Sequence, residues 1–314
     1  MPIHKSYLEK FIKATEFGAY GASPFIGKEN KIAADQGAVD MMRMELNKIE
    51  MKATIVIGEG EMDEAPMLHI GERVGTFSGP EFDIAVDPLE GTTFTSKGLP
   101  NAFSVLAVTE KGNLLSAPDT YMEKIIIGSN LPKNLLDLDN TVEKNIRLLA
   151  DAKNKKTSEL NACVLKRSRH DHIIKSLNKM DVNINYITDG DIAGGLTVVG
   201  GNPKNDIYLS TGGGPEGVIT AAALSCYGGQ IQARLVLSNE DEISRATNLG
   251  IRNLEKKYNT DEIVKGDVIF CASGVTSGIL TKGIKVFDDN FEVTTLALHK
   301  SQKINKTITN IYKK

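Results

Sequence analysis

Tryptophan is absent from this 314-residue chain, and aromatic residues make up only 6% of it. That leaves little material for the aromatic platforms on which single-stranded nucleic acid stacks. Net charge is equally scarce, since 37 Lys and Arg stand against 40 Asp and Glu, a formal −3. Neither a nucleic-acid groove nor an anionic membrane surface is therefore indicated as a partner. Cysteine is limited to Cys163, Cys226 and Cys271. Their odd number and wide spacing, with no CxxC, imply neither a disulfide framework nor a structural zinc site. No apolar run approaches the ~20 residues that a membrane-spanning helix needs. The opening MPIHKSYLEKFIKATEF mixes charge into its apolar positions and has no signal-peptide core. These absences point to a soluble, cytoplasmic protein. Fixed-period repeats and low-complexity tracts are also missing, which sets solenoids aside. Glycine, by contrast, is in modest excess: 29 of 314 residues, about 9% where ~7% is usual.

At about 150 residues per domain, the length predicts two domains, divided between residues 128 and 129. In the first, the segment through Leu8, Phe11 and Ile12 reads as a helix. A second helix follows, with Ala34, Ala38, Met41, Met42, Leu46 and Ile49 at helical spacing. Thr54–Ile57 reads as a buried strand. Phe82, Ile84 and Val86 alternate with Asp83, Ala85 and Asp87 as a period-two strand. Strands around 103–109 and 114–117, joined by Lys111-Gly112-Asn113, read as a hairpin. Helices followed by antiparallel strands predict an α+β domain.

The pattern changes near residue 130. NACVLKRSRHDHIIKSL, VNINYITDGDIAGGLTVV and DIYLSTGGGPEGVITAAALSCYG each read as strand, polar loop, helix. Three consecutive βα units predict an α/β domain with a mostly parallel sheet, whose ligands sit at the carboxyl ends of the strands. Those ends carry Arg167–His170, Asp189–Asp191 and Gly212–Glu216. Val268–Ala272 reads as a further strand, followed by SGVTSG, either a turn or an anion site. A closing strand pair is expected beyond Lys285.

Two stretches concentrate acid. In IVIGEGEMDEAPML, the residues Glu59, Glu61, Asp63 and Glu64 crowd a glycine-flanked turn before a proline-initiated helix. By itself this is also what a solvated acidic loop at a helix N-terminus looks like. In DIAVDPLEGTT, Asp87 ends a strand that Pro88 cannot continue, and Glu90, Gly91, Thr92 and Thr93 follow around a tight turn. Two acids with a backbone carbonyl between them, and no sulfur, suit Mg²⁺ or Mn²⁺ rather than zinc. Gly91 permits close backbone approach, and the Thr92 hydroxyl sits where a phosphate or an attacking water needs orienting.

The element DPLEGTT resembles the signature of the metal-dependent, lithium-sensitive sugar phosphatases, whose layered fold the two domains would build. More narrowly, IGEGEMDEAPML, DIAVDPLEGTT, APDTYMEK, RHD, DGDIA and GGGPEGV occur in the order found in class II fructose-1,6-bisphosphatases, over roughly residues 15–280. The resemblance implies a homo-oligomer, dimer or tetramer, that binds two or more Mn²⁺ or Mg²⁺ ions and a sugar bisphosphate. Asp35 and Glu59 match one metal site; Asp87 and Glu90 match a second, which Glu216 completes. Lys31, Asp63 and Thr92 match catalytic residues. Glu90, Gly91 and Thr92 match the grip on the scissile phosphate. Tyr121, Arg167-Ser168-Arg169, Asp189-Gly190-Asp191 and Gly213 match substrate contacts. The chain departs from the family where Arg167-Ser168-Arg169 stands for Lys-Pro-Arg, exchanging a point donor for a planar fork, and where Gly214 stands for alanine.

The implied reaction is hydrolysis of the 1-phosphate of fructose 1,6-bisphosphate. Either Asp63 or Glu59 would accept the proton of the attacking water, in a site crowded enough for their titrations to be coupled. Arg167 and Arg169 offer charge-assisted donors to the phosphate that is not cleaved. His170 belongs either to that anion site or to a local bond at a helix start. Asp189 and Asp191 suit either sugar hydroxyls or a metal. A dual fructose/sedoheptulose bisphosphatase, an inositol-phosphate phosphatase and a catalytically silent sugar-phosphate binder are the alternatives. A dinucleotide oxidoreductase is disfavoured, because no G-x-G-x-x-G follows a strand.

Overall fold

The computed structural model describes residues 2–58 and 68–314. Glu59, Glu61, Asp63, Glu64 and the helix start expected at Pro66 lie outside the described residues. The chain opens with α1 (Ser6–Ala22), α2 (Lys31–Leu46), β1 (Lys52–Ile57), β2 (Arg73–Val74), β3 (Glu81–Glu90), α3 (Thr92–Lys97) and β4 (Phe103–Glu110). A second unit follows with β5 (Tyr121–Ile127), α4 (Val142–Lys153), β6 (Asn161–Leu165), α5 (Asp171–Lys179), β7 (Asn183–Ile187) and α6 (Asp191–Leu196). It continues through β8 (Ile207–Gly213), α7 (Gly214–Tyr227), β9 (Gln230–Val236), α8 (Glu240–Asn248), β10 (Tyr258–Asn259) and α9 (Thr260–Ile263). The chain then returns to the first unit through β11 (Ile269–Gly274), β12 (Lys285–Val286), β13 (Asn290–His299) and β14 (Ile304–Lys313).

The first unit comprises residues 1–116 and 264–314, the second 117–263. This differs from a single cut at 128/129, and the reason is strand pairing. β11 runs antiparallel to β4 from Ile269↔Val108 to Gly274↔Phe103, and β13 and β14 extend the same sheet. Such long-range pairing leaves no local mark in the sequence. Its order is β12-β13-β11-β4-β3-β1-β2, with β14 on β13, antiparallel except where β1 lies parallel to β3. The expected 103–117 hairpin does not form. β4 already has β3 on one side and β11 on the other, so the turn at Gly112 leads away and Leu114 bridges to Val264 instead. β3 is also buried on both faces. Asp83, read as an outward position, is enclosed and accepts a hydrogen bond from the Gly112 N–H at 2.6 Å.

Leu8, Phe11 and Ile12 of α1 and Met42 and Leu46 of α2 pack with Ile84, Val86, Leu106 and Val108 of the sheet. α2 begins where the Asn30 side chain accepts from the Ala33 N–H at 3.0 Å, a cap that satisfies one of the free donors at the helix start.

The second unit's sheet has the order β10-β9-β5-β8-β6-β7, in which β7, β6 and β8 are parallel and β5, β9 and β10 antiparallel. The three βα units are present as read, but the sheet is not mostly parallel, because β5, β9 and β10 extend it antiparallel from β8. The strand ends of these units carry the three polar loops, because a parallel strand followed by a short turn and a helix leaves that turn at the carboxyl edge. Ile125, Ile127, Val164, Ile207 and Leu209 form the core beneath α4 and α5.

Candidate active site

In the first unit, β3 ends in a bulge, where the register with β4 shifts between Asp87 and Glu90. The Asp87 carboxylate accepts the Leu89 N–H at 3.0 Å, which tightens the turn around Pro88. Leu89 is buried, and Glu90 is only 7% exposed. Gly91 then takes the left-handed conformation, φ 84° and ψ 47°, which a side chain at this position would strain. Thr92 is the first residue of α3, half-buried beside it.

α2 is held against this turn. Ala34 and Ala38 pack in one cluster with Leu89 and Phe94. The Gly27 and Glu29 N–H groups donate to the Thr95 and Ser96 carbonyls at 2.9 and 2.8 Å. Half-buried Asp35, next to Ala34, and exposed Lys31 thus belong to a helix fastened to the element that carries Asp87, Glu90 and Thr92. Among the described residues no group of three or more His, Cys, Asp or Glu is gathered to ligate a metal. Of the five expected ligands, Glu59 lies outside those residues and Glu216 belongs to the other unit.

In the second unit, Tyr121 of β5 is paired with Gly213 of β8. Its half-exposed ring supports the Arg169 guanidinium, 4.7 Å from the ring centroid. Arg169 Nε donates to the Thr211 carbonyl at 2.7 Å, so one edge of the fork is fixed to β8. His170 sits behind it, fully buried, with Nδ1 bonded to the Leu165 carbonyl and Nε2 accepting the Thr211 N–H at 2.8 Å. Both ring nitrogens are thus engaged by backbone, and burial pushes the imidazole pKa down. Of the two readings of His170, the local bond is the one observed. Arg167 and Ser168 are exposed on the same loop, and the Lys166 ammonium lies over the Tyr186 ring at 5.8 Å.

Asp189 is half-buried and accepts the Gly190 N–H at 3.2 Å. Asp191 is different. Its carboxylate is buried and takes hydrogen bonds from the Lys124 ammonium, the Tyr208 hydroxyl and, at 3.2 Å, the Ser210 hydroxyl. That places it in an internal network rather than free toward a ligand. Burial beside this carboxylate holds the Tyr208 phenol well above its ordinary pKa. Glu216, in the first turn of α7, is half-buried with its Oε2 enclosed, and desolvation raises its pKa against the lowering effect of Lys124. A Cβ at Gly213 would lie 1.8 Å from Glu216 Oε2, so this glycine is the space the carboxylate occupies. Lys124, Tyr208 and His170 are the residues sequence reading passed over or left undecided. For Lys124 the advance signal was that APDTYMEK ends on it, and for His170 its place in RHD.

The chain resembles fructose-1,6-bisphosphatase class 2 of Haemophilus influenzae, at 39% identity over 96% of this chain and 95% of that protein. It also resembles the D-fructose 1,6-bisphosphatase class 2/sedoheptulose 1,7-bisphosphatase of Trichodesmium erythraeum, at 34% identity over 96% and 95%. Among solved structures it is similar to an inositol monophosphatase from Anabaena (Nostoc) sp. PCC 7120, at 13% identity over 73% of this chain and 83% of that one, TM-score 0.39. The model of the bacterial, glpX-encoded fructose-1,6-bisphosphatases matches residues 5–312. With that match running almost from end to end, this chain belongs to the bacterial glpX-encoded fructose-1,6-bisphosphatase family.

Proposed function

We propose that this enzyme removes the 1-phosphate of fructose 1,6-bisphosphate, releasing fructose 6-phosphate and phosphate, with Mn²⁺ or Mg²⁺ as its cofactor. The observation that carries this reading is the Asp87–Thr92 turn: a bulged strand end and a left-handed glycine bring two acids and a hydroxyl into six consecutive residues. The chain's donors suit a hard cation, because Asp35, Asp87, Glu90 and Glu216 offer only oxygen. Glu216 Oε2, moreover, is buried and meets no hydrogen-bond donor among the described residues. Divalent cations, when bound, neutralise phosphoryl oxygens, acidify water and stabilise the departing alkoxide.

The remaining work falls to side chains. Thr92 orients the attacking water, Asp63 or Glu59 takes its proton, and Lys31 offsets phosphate charge. Arg169, with Nε already held by Thr211, keeps its two terminal nitrogens for the second phosphate, and Arg167 adds a further fork. Tyr121 lines the same place, while Asp189, Gly190 and Gly213 bound the sugar. Asp191 supports that edge from within through Lys124, Tyr208 and Ser210.

Phosphate release from fructose 1,6-bisphosphate, with Mn²⁺, with Mg²⁺ and in excess chelator, tests the proposal. Full activity in chelator, or in Asp87→Ala, overturns it. Dual activity is the second reading, favoured by the relatives from Trichodesmium erythraeum and Synechocystis that carry both activities in their names at 34% identity. Comparing kcat/KM on the two bisphosphates decides between them. We also propose a cytoplasmic homodimer or homotetramer, which light scattering of the purified protein tests.

A further inference from the structure

Two carboxylates of the second unit lean on adjacent glycines at the end of β8. A Cβ at Gly212 would lie 2.1 Å from Asp191 Oδ2, and one at Gly213 would lie 1.8 Å from Glu216 Oε2. Asp191 is buried and Glu216 half-buried with its Oε2 enclosed, yet they are served very unequally. Asp191 receives Lys124, Tyr208 and Ser210, whereas Glu216 Oε2 receives no donor from the described residues. The side chain of Lys124 is 1% exposed, and its ammonium also donates to the Gly213 carbonyl at 2.7 Å. One buried cation thus acts electrostatically on two carboxylates and is hydrogen-bonded to only one of them. An isolated charge this deep is costly unless it is paired.

From this we infer that Lys124 is a positioning residue: by binding Asp191 and the Gly213 carbonyl, it keeps Asp191 out of metal ligation and holds the turn that presents Glu216 to a cation. The inference rests on the metal-dependent reading above and adds a role for a residue that touches neither substrate nor metal. Three consequences follow from the contacts. Removing the ammonium leaves the buried Asp191 carboxylate with only two hydroxyl donors, so the side chain is driven toward water or toward the cation. The Gly213 carbonyl loses its donor at the same time, and the turn into α7 loosens. Removing the Asp191 charge together with the ammonium cancels the first effect, because an amide at 191 still accepts from Tyr208 and Ser210.

The test compares Mn²⁺ binding, followed by electron paramagnetic resonance, in the wild type, Glu216→Gln, Lys124→Met and Lys124→Met/Asp191→Asn, with thermal melting of each metal-free protein. The signal of interest is the bound Mn²⁺ that Glu216→Gln abolishes. Lys124→Met is expected to weaken it about tenfold or more, the size seen when a group supporting a ligand is lost, and to lower the metal-free melting temperature. The double variant is expected to recover Mn²⁺ binding to within about threefold of wild type, because the stranded charge is the larger loss, and to recover the melting temperature in part, because the Gly213 carbonyl still lacks its donor. Should Lys124→Met fail to fold, the double variant carries the test. Wild-type binding in Lys124→Met, or a double variant as weak as the single one, overturns the inference while leaving the phosphatase reading intact. A wild type that shows no Mn²⁺ signal sensitive to Glu216→Gln overturns the metal reading and this inference together.

Discussion

The acidic turn of the first unit and the strand-end cluster of the second solve opposite problems. The turn at Asp87–Thr92 gathers its groups from six consecutive residues, and its geometry comes from one bulge and one left-handed glycine. The cluster draws Tyr121, Lys124, Arg169, Asp191 and Gly213 from four strand ends, and most of its polar groups are already bonded to one another. In a contiguous turn the backbone of a few consecutive residues sets where each acid sits, so little long-range assembly is needed. A site assembled from separate strands must be held in shape before any ligand binds, since each loop would otherwise move independently; pre-made hydrogen bonds supply that order. On the proposed reading, chemistry should therefore be sensitive to single residues in the turn, and recognition to the network in the cluster.

The largest expected effect is at the turn. Asp87→Ala should lower kcat by about a thousandfold, roughly 4 kcal/mol of transition-state stabilisation, without unfolding the protein; phosphate release and circular dichroism check both halves. A loss under about tenfold would show that the turn is not where the chemistry is done. Arg169→Ala should raise KM for the bisphosphate by about 10- to 100-fold while changing kcat less, the cost of a charge-assisted contact of about 1.5–3 kcal/mol. If kcat falls and KM stays, Arg169 belongs to the chemistry and the contrast between the two regions fails.

A smaller effect concerns His170. Its pKa is depressed in the folded state by burial, so the unfolded chain takes up a proton first as pH falls. This contribution to stability is complete above the unfolded value, ~6.5, and is lost as pH drops below it. The melting temperature should fall from pH 7.5 to 5.5 more steeply in wild type than in His170→Asn, and equal slopes would remove His170 from the account. The smallest effect separates the regions by their helix caps. Asn30→Ala and Thr141→Ala remove side-chain caps of α2 and α4, each at a cost of about 1 kcal/mol. Only Asn30→Ala should also lower kcat, because α2 carries Lys31 and Asp35; urea unfolding and steady-state kinetics measure the pair.

Local patterns revealed much of this in advance. The helical spacing of Ala34, Ala38, Met42 and Leu46 yielded α2, and the three strand-loop-helix segments yielded the βα units with their polar ends. The Asp87–Thr92 turn was legible because proline, glycine and acids within six residues constrain one another directly. Less was visible where partners are distant. Asp83 looked outward on alternation alone, but the Gly112 turn covers it. Residues 114–117 looked like a returning strand, but β11 had taken the place beside β4. Asp191 looked like a ligand-facing acid, and nothing nearby in the chain announced that Lys124 and Tyr208 reach it from two other strands.

By itself, then, the sequence determined the family, helices α1 and α2, the βα units and the contiguous acidic turn, because each depends on residues within about one element of one another. Tertiary structure alone decided that residues 264–314 complete the first unit's sheet, that His170 is spent on two backbone groups, and that one buried ammonium serves Asp191 while Glu216 Oε2 has no donor among the described residues. The physical reason is range. Helix periodicity and turn chemistry act over a few residues, whereas strand pairing and the desolvation of buried charge depend on groups that only the folded chain brings together.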